Sequence, residues 1–118
     1  MNNQEIAKLT TEFQGIQKIL IALGDENRQH LILEMMQMGN CQGVRVGEIT
    51  KKTHLSRPAV SHHLQILKDA GIVSRRKEGT KNYYYFGDKN NSMASLITTL
   101  SHAKKIMAQL PNQESDED

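Results

Sequence analysis

Apolar residues recur along most of this chain at helical spacing and in one short segment at strand spacing. Near the N-terminus they are separated by steps of three and four residues, which predicts one amphipathic helix over residues 4–23. The residues of this stripe are Ile6, Leu9, Phe13, Ile16, Leu20 and Leu23. Gly24 is expected to end the helix, and Asp25 to cap a second helix that runs to about Met38.

The middle of the chain predicts two further helices joined by a tight turn. The third helix is short, about Val46 to Thr53, and His54-Leu55-Ser56 forms the turn. Ser56 is the expected N-cap of the fourth helix, and Pro58 falls in its first turn, where a missing N–H costs nothing. This helix is expected to end at Gly71. Its inward-facing positions are Val60, Leu64 and Leu67.

A hairpin and a last helix complete the pattern. Residues Ile72 to Lys77 and Asn82 to Phe86 flank a Gly-containing turn and predict two antiparallel strands. In the second strand Tyr84 and Phe86 share one face, and Tyr83 and Tyr85 share the other. Ser92 is expected to cap a helix of about 18 residues. Its apolar seam consists of Met93, Leu96 or Ile97, Leu100, Ala103, Met107 and Leu110.

This order of elements predicts a mainly α (α+β) fold. It is a winged helix-turn-helix with about five helices and a two-stranded β-hairpin as the wing, a shape that fits a DNA major groove. A chain of 118 residues is long enough for one compact domain. We expect that domain over residues 1–110, followed by an acidic disordered tail over residues 111–118.

The distribution of charge favours a nucleic-acid partner. The net charge is only +2, but residues 45–89 hold 10 Lys and Arg against 4 Asp and Glu. The positive charge is therefore concentrated in the helix-turn-helix and the hairpin. A solvated basic face would give the same count, so charge alone does not decide.

The fourth helix is the candidate recognition helix, over about residues 57–70. Arg57 can form a fork to guanine, Gln65 can pair with adenine, and neighbouring polar groups can reach base edges or phosphates. The hairpin, residues 72–86, is expected to lie on the DNA backbone. His63 is interpreted as a hydrogen-bonded framework residue. The predicted DNA contacts are Ser56, Arg57, Ser61, His62, Gln65, Arg75, Arg76, Lys77 and Lys81.

The two terminal helices carry more apolar surface than a small winged domain needs for its own core. We therefore predict a two-fold dimer in which they pair across subunits. The alternative is that both helices fold back on their own domain. A dimer would place two recognition helices about 34 Å apart and favour an inverted-repeat operator. The predicted interface residues are Ile6, Leu9, Phe13, Ile16, Met93, Ile97, Leu100 and Met107.

Four segments of the chain together form a recognisable pattern. They are Ala22-Leu23-Gly24-Asp25-Glu26-Asn27-Arg28, Leu55-Ser56-Arg57-Pro58-Ala59-Val60-Ser61-His62-His63-Leu64, Leu67-Lys68-Asp69-Ala70-Gly71-Ile72-Val73, and Glu78-Gly79 with Tyr83-Tyr84 in the wing. From Leu23 to Phe86 the chain resembles the ArsR/SmtB family of bacterial winged-helix repressors. The resemblance implies a homodimeric repressor, paired through its terminal helices, that leaves its operator when an inducer is sensed.

The sequence departs from this family where its members bind metals. Many relatives carry a Cys-Val-Cys-Asp-Leu box, but here the segment is Arg45-Val46-Gly47-Glu48-Ile49. The last helix offers only His102, followed three positions later by Lys105. We therefore expect no metal and no cofactor, and the inducer is unknown. An intersubunit site using His102 and tail acids stays open as an alternative, as does redox sensing by Cys41, the only cysteine.

No arrangement of residues typical of an enzyme is present: the chain lacks a Ser-His-Asp order, paired carboxylates in an apolar setting and a Gly-rich phosphate loop. Neither a transmembrane segment nor a signal peptide is indicated, and one cysteine fits a reducing compartment, so we expect a cytoplasmic location. The predicted function is a DNA-binding transcriptional repressor. The alternative is a protein-interaction module that retains the winged-helix fold.

Overall fold

The computed structural model describes residues 3–39, 42–87 and 91–111. Their order of elements confirms the predicted winged helix-turn-helix. The helices are α1 (Asn3–Gly15), α2 (Gln17–Leu23), α3 (Glu26–Met38), α4 (Val46–Thr50), α5 (Arg57–Asp69) and α6 (Asn91–Ala108). Strands β1 (Ser74–Glu78) and β2 (Lys81–Tyr85) form the hairpin between α5 and α6. Cys41 and the predicted acidic tail after Pro111 lie outside the described residues.

The single helix predicted over residues 4–23 is in fact two helices. Ile16 separates α1 from α2 with φ −115° and ψ 11°, and its N–H donates to the Phe13 carbonyl at 3.2 Å, as in a tightened last turn. Gly15 lowers the cost of ending α1 there because glycine is a poor helix former. Ile16 itself is 1% exposed and lies in the core. The heptad spacing runs through this break, since spacing reports which residues are apolar and not where the backbone bends.

Two of the three predicted helix caps are confirmed. The Asp25 carboxylate accepts a hydrogen bond from the N–H of Arg28 at 3.1 Å, and Ser56 Oγ accepts one from the N–H of Ala59 at 3.3 Å. Ser92 is not a cap, because α6 begins at Asn91. Instead its hydroxyl donates to the Ala70 carbonyl at 2.8 Å and ties the start of α6 to the end of α5.

The core lies between the inward faces of α2, α3, α4 and α5. Val60, Leu64 and Leu67, the predicted inward residues of α5, are 0% exposed, as are Leu31 of α3 and Ile49 of α4. Burial of each such side chain stabilises the fold by about 1.5–3 kcal/mol. The apolar stripe of α5 therefore fixes this helix against the rest of the domain.

The hairpin is anchored to the same core at one end. Tyr84 is 4% exposed and exchanges two backbone hydrogen bonds of 2.8 Å with Val44, in the segment between α3 and α4. Ile72 and Val73, predicted as the start of the first strand, lie in the core just before β1 begins at Ser74. At the tip Gly79 has φ 64°, a left-handed conformation that glycine adopts without a steric penalty. None of the described helices is long and apolar enough to span a bilayer.

Two leucines of α3 give a direct test of this core. Leu31 is 0% exposed and Leu33 is 57% exposed. We expect Leu31→Ala to lower the free energy of unfolding by about 2–5 kcal/mol, because it leaves a cavity. Leu33→Ala should change it by no more than about 0.5 kcal/mol. Urea denaturation at one protein concentration measures both, and equal losses would contradict the described packing.

Candidate nucleic-acid interface

The face of α5 opposite the core is polar and open to solvent. Arg57, Ser61 and His62 are exposed, and Gln65 is half-buried. Pro58 occupies the first turn, where it removes no hydrogen bond of the helix. This face presents a guanidinium, a hydroxyl and an imidazole over the first two turns of α5, the part of a recognition helix that meets base edges.

Two predicted contacts of α5 already have partners within the chain. Ser56 Oγ caps the helix, although its own O–H can still donate to a phosphate. The Gln65 amide nitrogen donates to a carboxylate oxygen of Asp69 at 2.9 Å. Gln65 must therefore leave Asp69 before it can pair with adenine. The free cation of this face is Arg57, for which the described residues show no ion pair.

The basic side chains of the hairpin divide into two groups. Arg75, Lys77 and Lys81 are exposed. Arg76 is instead held by the protein: its Nη1 donates to the Gln42 carbonyl at 2.7 Å and its Nε to Glu78 Oε2 at 2.7 Å. Its guanidinium also lies 4.9 Å from the centroid of the Tyr83 ring. Arg76 therefore supports the wing from within, whereas the other three cations remain available to phosphates.

A buried arginine joins three helices behind the candidate recognition surface. Arg28 of α3 is 8% exposed. Its Nε donates to the Ala22 carbonyl at 2.8 Å and its Nη2 to the Ile21 carbonyl at 3.1 Å, both at the end of α2. Its Nη1 lies 3.2 Å from Nδ1 of His63 on α5. We call this arrangement the Arg28 junction. It confirms the interpretation of His63 as a hydrogen-bonded framework residue.

No role for Arg28 was predicted from the sequence. One signal was available: a cation in the first turn of a helix opposes the helix dipole, so another interaction has to compensate for it. Here the compensation comes from two carbonyls at the C-terminal end of α2, where the dipole favours positive charge. Only the three-dimensional structure shows that the same guanidinium reaches His63, which lies 35 positions away.

The Arg28 junction requires an uncharged His63. A guanidinium can only donate hydrogen bonds, so Nδ1 of His63 must accept and its proton must sit on Nε2. Burial lowers the pKa of His63 below the ordinary value of 6.5; the Asp25 carboxylate opposes this effect, and the charges of Arg28 and His62 add to it. The neutral imidazole is thus the form that the fold selects.

Comparison with known proteins agrees with this geometry. A family model described as "Bacterial regulatory protein, arsR family" matches residues 27–75. An uncharacterized HTH-type transcriptional regulator of Methanocaldococcus jannaschii, MJ1325, is 38% identical over 77 residues, which cover 65% of this chain and 83% of the relative. The chain belongs to the ArsR family.

Two other relatives are informative about function and fold. The transcriptional repressor SdpR of Bacillus subtilis is 35% identical over 63 residues, covering 53% of this chain and 66% of SdpR. The homodimeric winged helix-turn-helix DNA-binding domain of Mb0332 from Mycobacterium bovis, a possible ArsR-family transcriptional regulator, has been solved by NMR. It superposes with a TM-score of 0.57 at 19% identity and covers 96% of this chain and 97% of that domain.

In this ArsR-family chain α1 and α6 leave an apolar surface uncovered, which we call the terminal-helix face. It comprises Ile6, Ile97, Leu100 and Met107, which are 41%, 64%, 46% and 67% exposed. Of the other residues predicted for a dimer interface, Leu9 is half-buried, and Phe13 and Met93 pack against the chain's own core. The prediction for Ile16 is wrong: at 1% exposure it has no surface to offer a second chain.

The ArsR-family metal boxes do not fit the residues found here. At the start of α4 the Glu48 carboxylate accepts a hydrogen bond from the N–H of Arg45 at 2.9 Å, so it caps the helix. On α6, Nδ1 of His102 lies 2.8 and 2.9 Å from the two carboxylate oxygens of Glu12 on α1. This pair lines a groove of about 260 Å³ between the two helices. The described residues contain no group of three side chains that could hold a metal ion.

Adjacent arginines in β1 test the division of cations in the wing. Arg76→Ala should lower the free energy of unfolding by about 1–2 kcal/mol, because it removes a hydrogen bond to a carbonyl and a stacked guanidinium. Arg75→Ala should change it by less than about 0.5 kcal/mol, since Arg75 is exposed. Thermal or chemical denaturation measures the difference. A larger loss of unfolding free energy from Arg75→Ala than from Arg76→Ala would contradict the assignment of Arg76 as the arginine that supports the wing.

Proposed function

We propose that this chain is a cytoplasmic transcriptional repressor that binds an inverted-repeat operator as a homodimer. In each half-site α5 enters the major groove, and the β1–β2 wing lies along the DNA backbone. The observation that carries this proposal is the two-sided character of α5. Val60, Leu64 and Leu67 are 0% exposed, while Arg57, Ser61 and His62 face solvent. Such a helix is held by one side and leaves the other free to read bases.

Electrostatics supports the same orientation. Arg57 lies at the N-terminal end of α5, where free backbone N–H groups add partial positive charge. The wing adds Arg75, Lys77 and Lys81, all exposed. Cations arranged around a protruding helix attract phosphates on both sides of a groove, and base contacts by the helix then provide specificity.

The dimer proposal is supported by how little of α1 is buried within one chain. The helix has 13 residues, and none of them is buried. The radius of gyration is 18.4 Å, whereas a compact chain of this length would have about 13–14 Å. Helices α1 and α6 carry the terminal-helix face. A second copy would cover that face, and the homodimeric state of the Mb0332 domain agrees with such an arrangement.

Repression follows if the operator overlaps a promoter, and the similarity to the repressor SdpR favours this direction of control. The inducer stays unknown. Any signal that changes the angle between α1 and α6 would alter the spacing of the two copies of α5. A ligand can cause release only if its affinity differs between the state that fits DNA and the state that does not.

DNA binding is tested with a duplex selected by the protein from a random pool and with an unrelated duplex. Arg57→Ala should weaken binding to the selected duplex by about 1–3 kcal/mol and bring the two affinities closer, because a base contact is lost. Lys77→Ala should weaken both duplexes alike and reduce the log–log salt slope by about one, because a phosphate contact is lost. Fluorescence anisotropy at several salt concentrations measures these effects.

Lys104→Ala is the matched control for the lysine variant, since Lys104 is exposed on α6 and away from the wing. It should leave the affinity and the salt slope unchanged. Equal wild-type affinity for selected and unrelated duplexes would refute a sequence-specific regulator. Binding to a protein partner without a steep salt dependence would favour the interaction-module alternative.

The dimer is tested by placing charges on the terminal-helix face. Ile97→Glu with Leu100→Glu should convert the protein to a monomer, because two charges would be buried without partners at the interface. Leu33→Glu is the control, since Leu33 is similarly exposed but lies on α3. Analytical ultracentrifugation at micromolar concentration gives the mass of each species. A double variant that remains a dimer would exclude this face as the interface.

A further inference from the structure

One polar contact attaches the recognition helix to the rest of the domain beside its reading surface. His63 follows directly after the exposed residue His62 and accepts from Arg28 at 3.2 Å. Within the core α5 is held by apolar side chains, Val60, Leu64 and Leu67. The hydrogen bond from Ser92 to the Ala70 carbonyl lies at the far, C-terminal end of the helix. Apolar packing is not directional, whereas a hydrogen bond fixes an angle as well as a distance. The Arg28–His63 contact is therefore suited to setting the rotation of α5 about its own axis.

A small rotation is enough to affect DNA reading. Side chains of a helix end about 5–6 Å from its axis, so a rotation of about 20° moves them by about 2 Å. Hydrogen bonds to base edges tolerate only a few tenths of an ångström before they weaken. Ser61 and His62 lie within two residues of His63 and would move with it.

We propose that Arg28 is a positioning residue for operator recognition, and that it holds α5 in the reading orientation only while His63 is uncharged. This inference rests on the proposed function. A doubly protonated His63 carries a donor at Nδ1 and a positive charge, and both oppose the guanidinium at 3.2 Å. Arg28 cannot move away easily, because its other nitrogens are bound to the carbonyls of Ala22 and Ile21.

Among the described residues, three charged or titratable groups act on the pKa of His63: Asp25, Arg28 and His62. Asp25, which precedes α3, partly opposes the effect of burial on the pKa of His63, and Arg28 and His62 act in the same direction as burial. The folded-state pKa lies below that of the unfolded chain, so the stability contributed by neutral His63 is complete above about pH 6.5. That contribution is lost as the pH falls from there through the folded-state pKa. Acidification should thus loosen the Arg28 junction.

The direction in which acidification changes the DNA affinity distinguishes His63 from the exposed histidines. Positive charge that acid adds to an exposed side chain attracts phosphate and should strengthen DNA binding. Protonation of His63 should weaken binding to the operator, because the reading surface is displaced. An acid-induced loss of affinity therefore cannot come from the exposed histidines.

The experiment compares wild type with His63→Asn from about pH 7.5 to about pH 5.5 at constant ionic strength. The asparagine amide oxygen can take the place of Nδ1 as an acceptor but cannot be protonated in this range. We expect similar affinities for the selected duplex at the upper pH. At the lower pH the wild type should bind more weakly than the variant, by up to about tenfold for each pH unit below the pKa that His63 has in the free protein.

Two further variants show that the effect belongs to this contact. His30→Asn removes an exposed histidine of α3 and should keep the wild-type pH profile. Arg28→Lys keeps the charge but cannot maintain three directed hydrogen bonds. It should weaken specific binding already at the upper pH, and in its presence His63→Asn should alter the pH profile less than it does in the wild type. A thermal melt of each variant over the same pH range reports loosening of the junction without DNA.

The outcomes distinguish the inference from the proposed function. Parallel pH profiles of wild type and His63→Asn, with specific binding retained, would overturn the inference and leave the function intact. Absence of specific duplex binding by the wild type at the upper pH would contradict both the inference and the proposed function. A wild-type affinity that falls on acidification while the His63→Asn affinity holds or rises would support the inference.

Discussion

The burial of one face of α5 is the constraint on which the structure depends. A recognition helix has to be immobile relative to its domain and still keep a whole face free for bases. Val60, Leu64 and Leu67 meet both needs because they recur on a single stripe and are 0% exposed. Side chains on the opposite stripe then have no packing role, so Arg57 and Ser61 can be polar at no cost to the core.

Basic residues of this domain serve two purposes that sequence composition cannot separate. Arg28 and Arg76 satisfy backbone carbonyls inside the chain, at Ala22, Ile21 and Gln42. Arginine suits this task because its planar group donates in several directions and stays charged under all relevant conditions. The cations left for phosphates are accordingly fewer than the count of Lys and Arg indicates. The region does carry an excess of positive charge, but part of that charge is engaged in hydrogen bonds to backbone carbonyls of the chain itself.

Features that depend on neighbours in sequence could be predicted, and features that depend on distant contacts could not. The caps at Asp25 and Ser56 follow from side chains that reach three residues along the chain. The buried stripe of α5 could be predicted because its apolar residues recur every three or four positions along the chain. The full roles of Arg28 and Arg76 could not be found in this way, since each has a distant partner, His63 at 35 positions and the Gln42 carbonyl at 34. The prediction of Ile16 as an interface residue is wrong because a heptad stripe does not distinguish a core residue from an interface residue.

The Arg28 junction also bears on how dimerisation and DNA reading can be linked. Ile21 and Ala22, whose carbonyls bind Arg28, lie at the end of α2, and α2 follows α1 directly. The terminal-helix face begins on α1. One guanidinium thus connects the segment that leads from the proposed dimer face with His63 on the proposed recognition helix. Coupling between two sites needs an element that both can bias. A rigid donor shared by α2 and α5 is such an element, and apolar packing alone would not provide one with a defined direction.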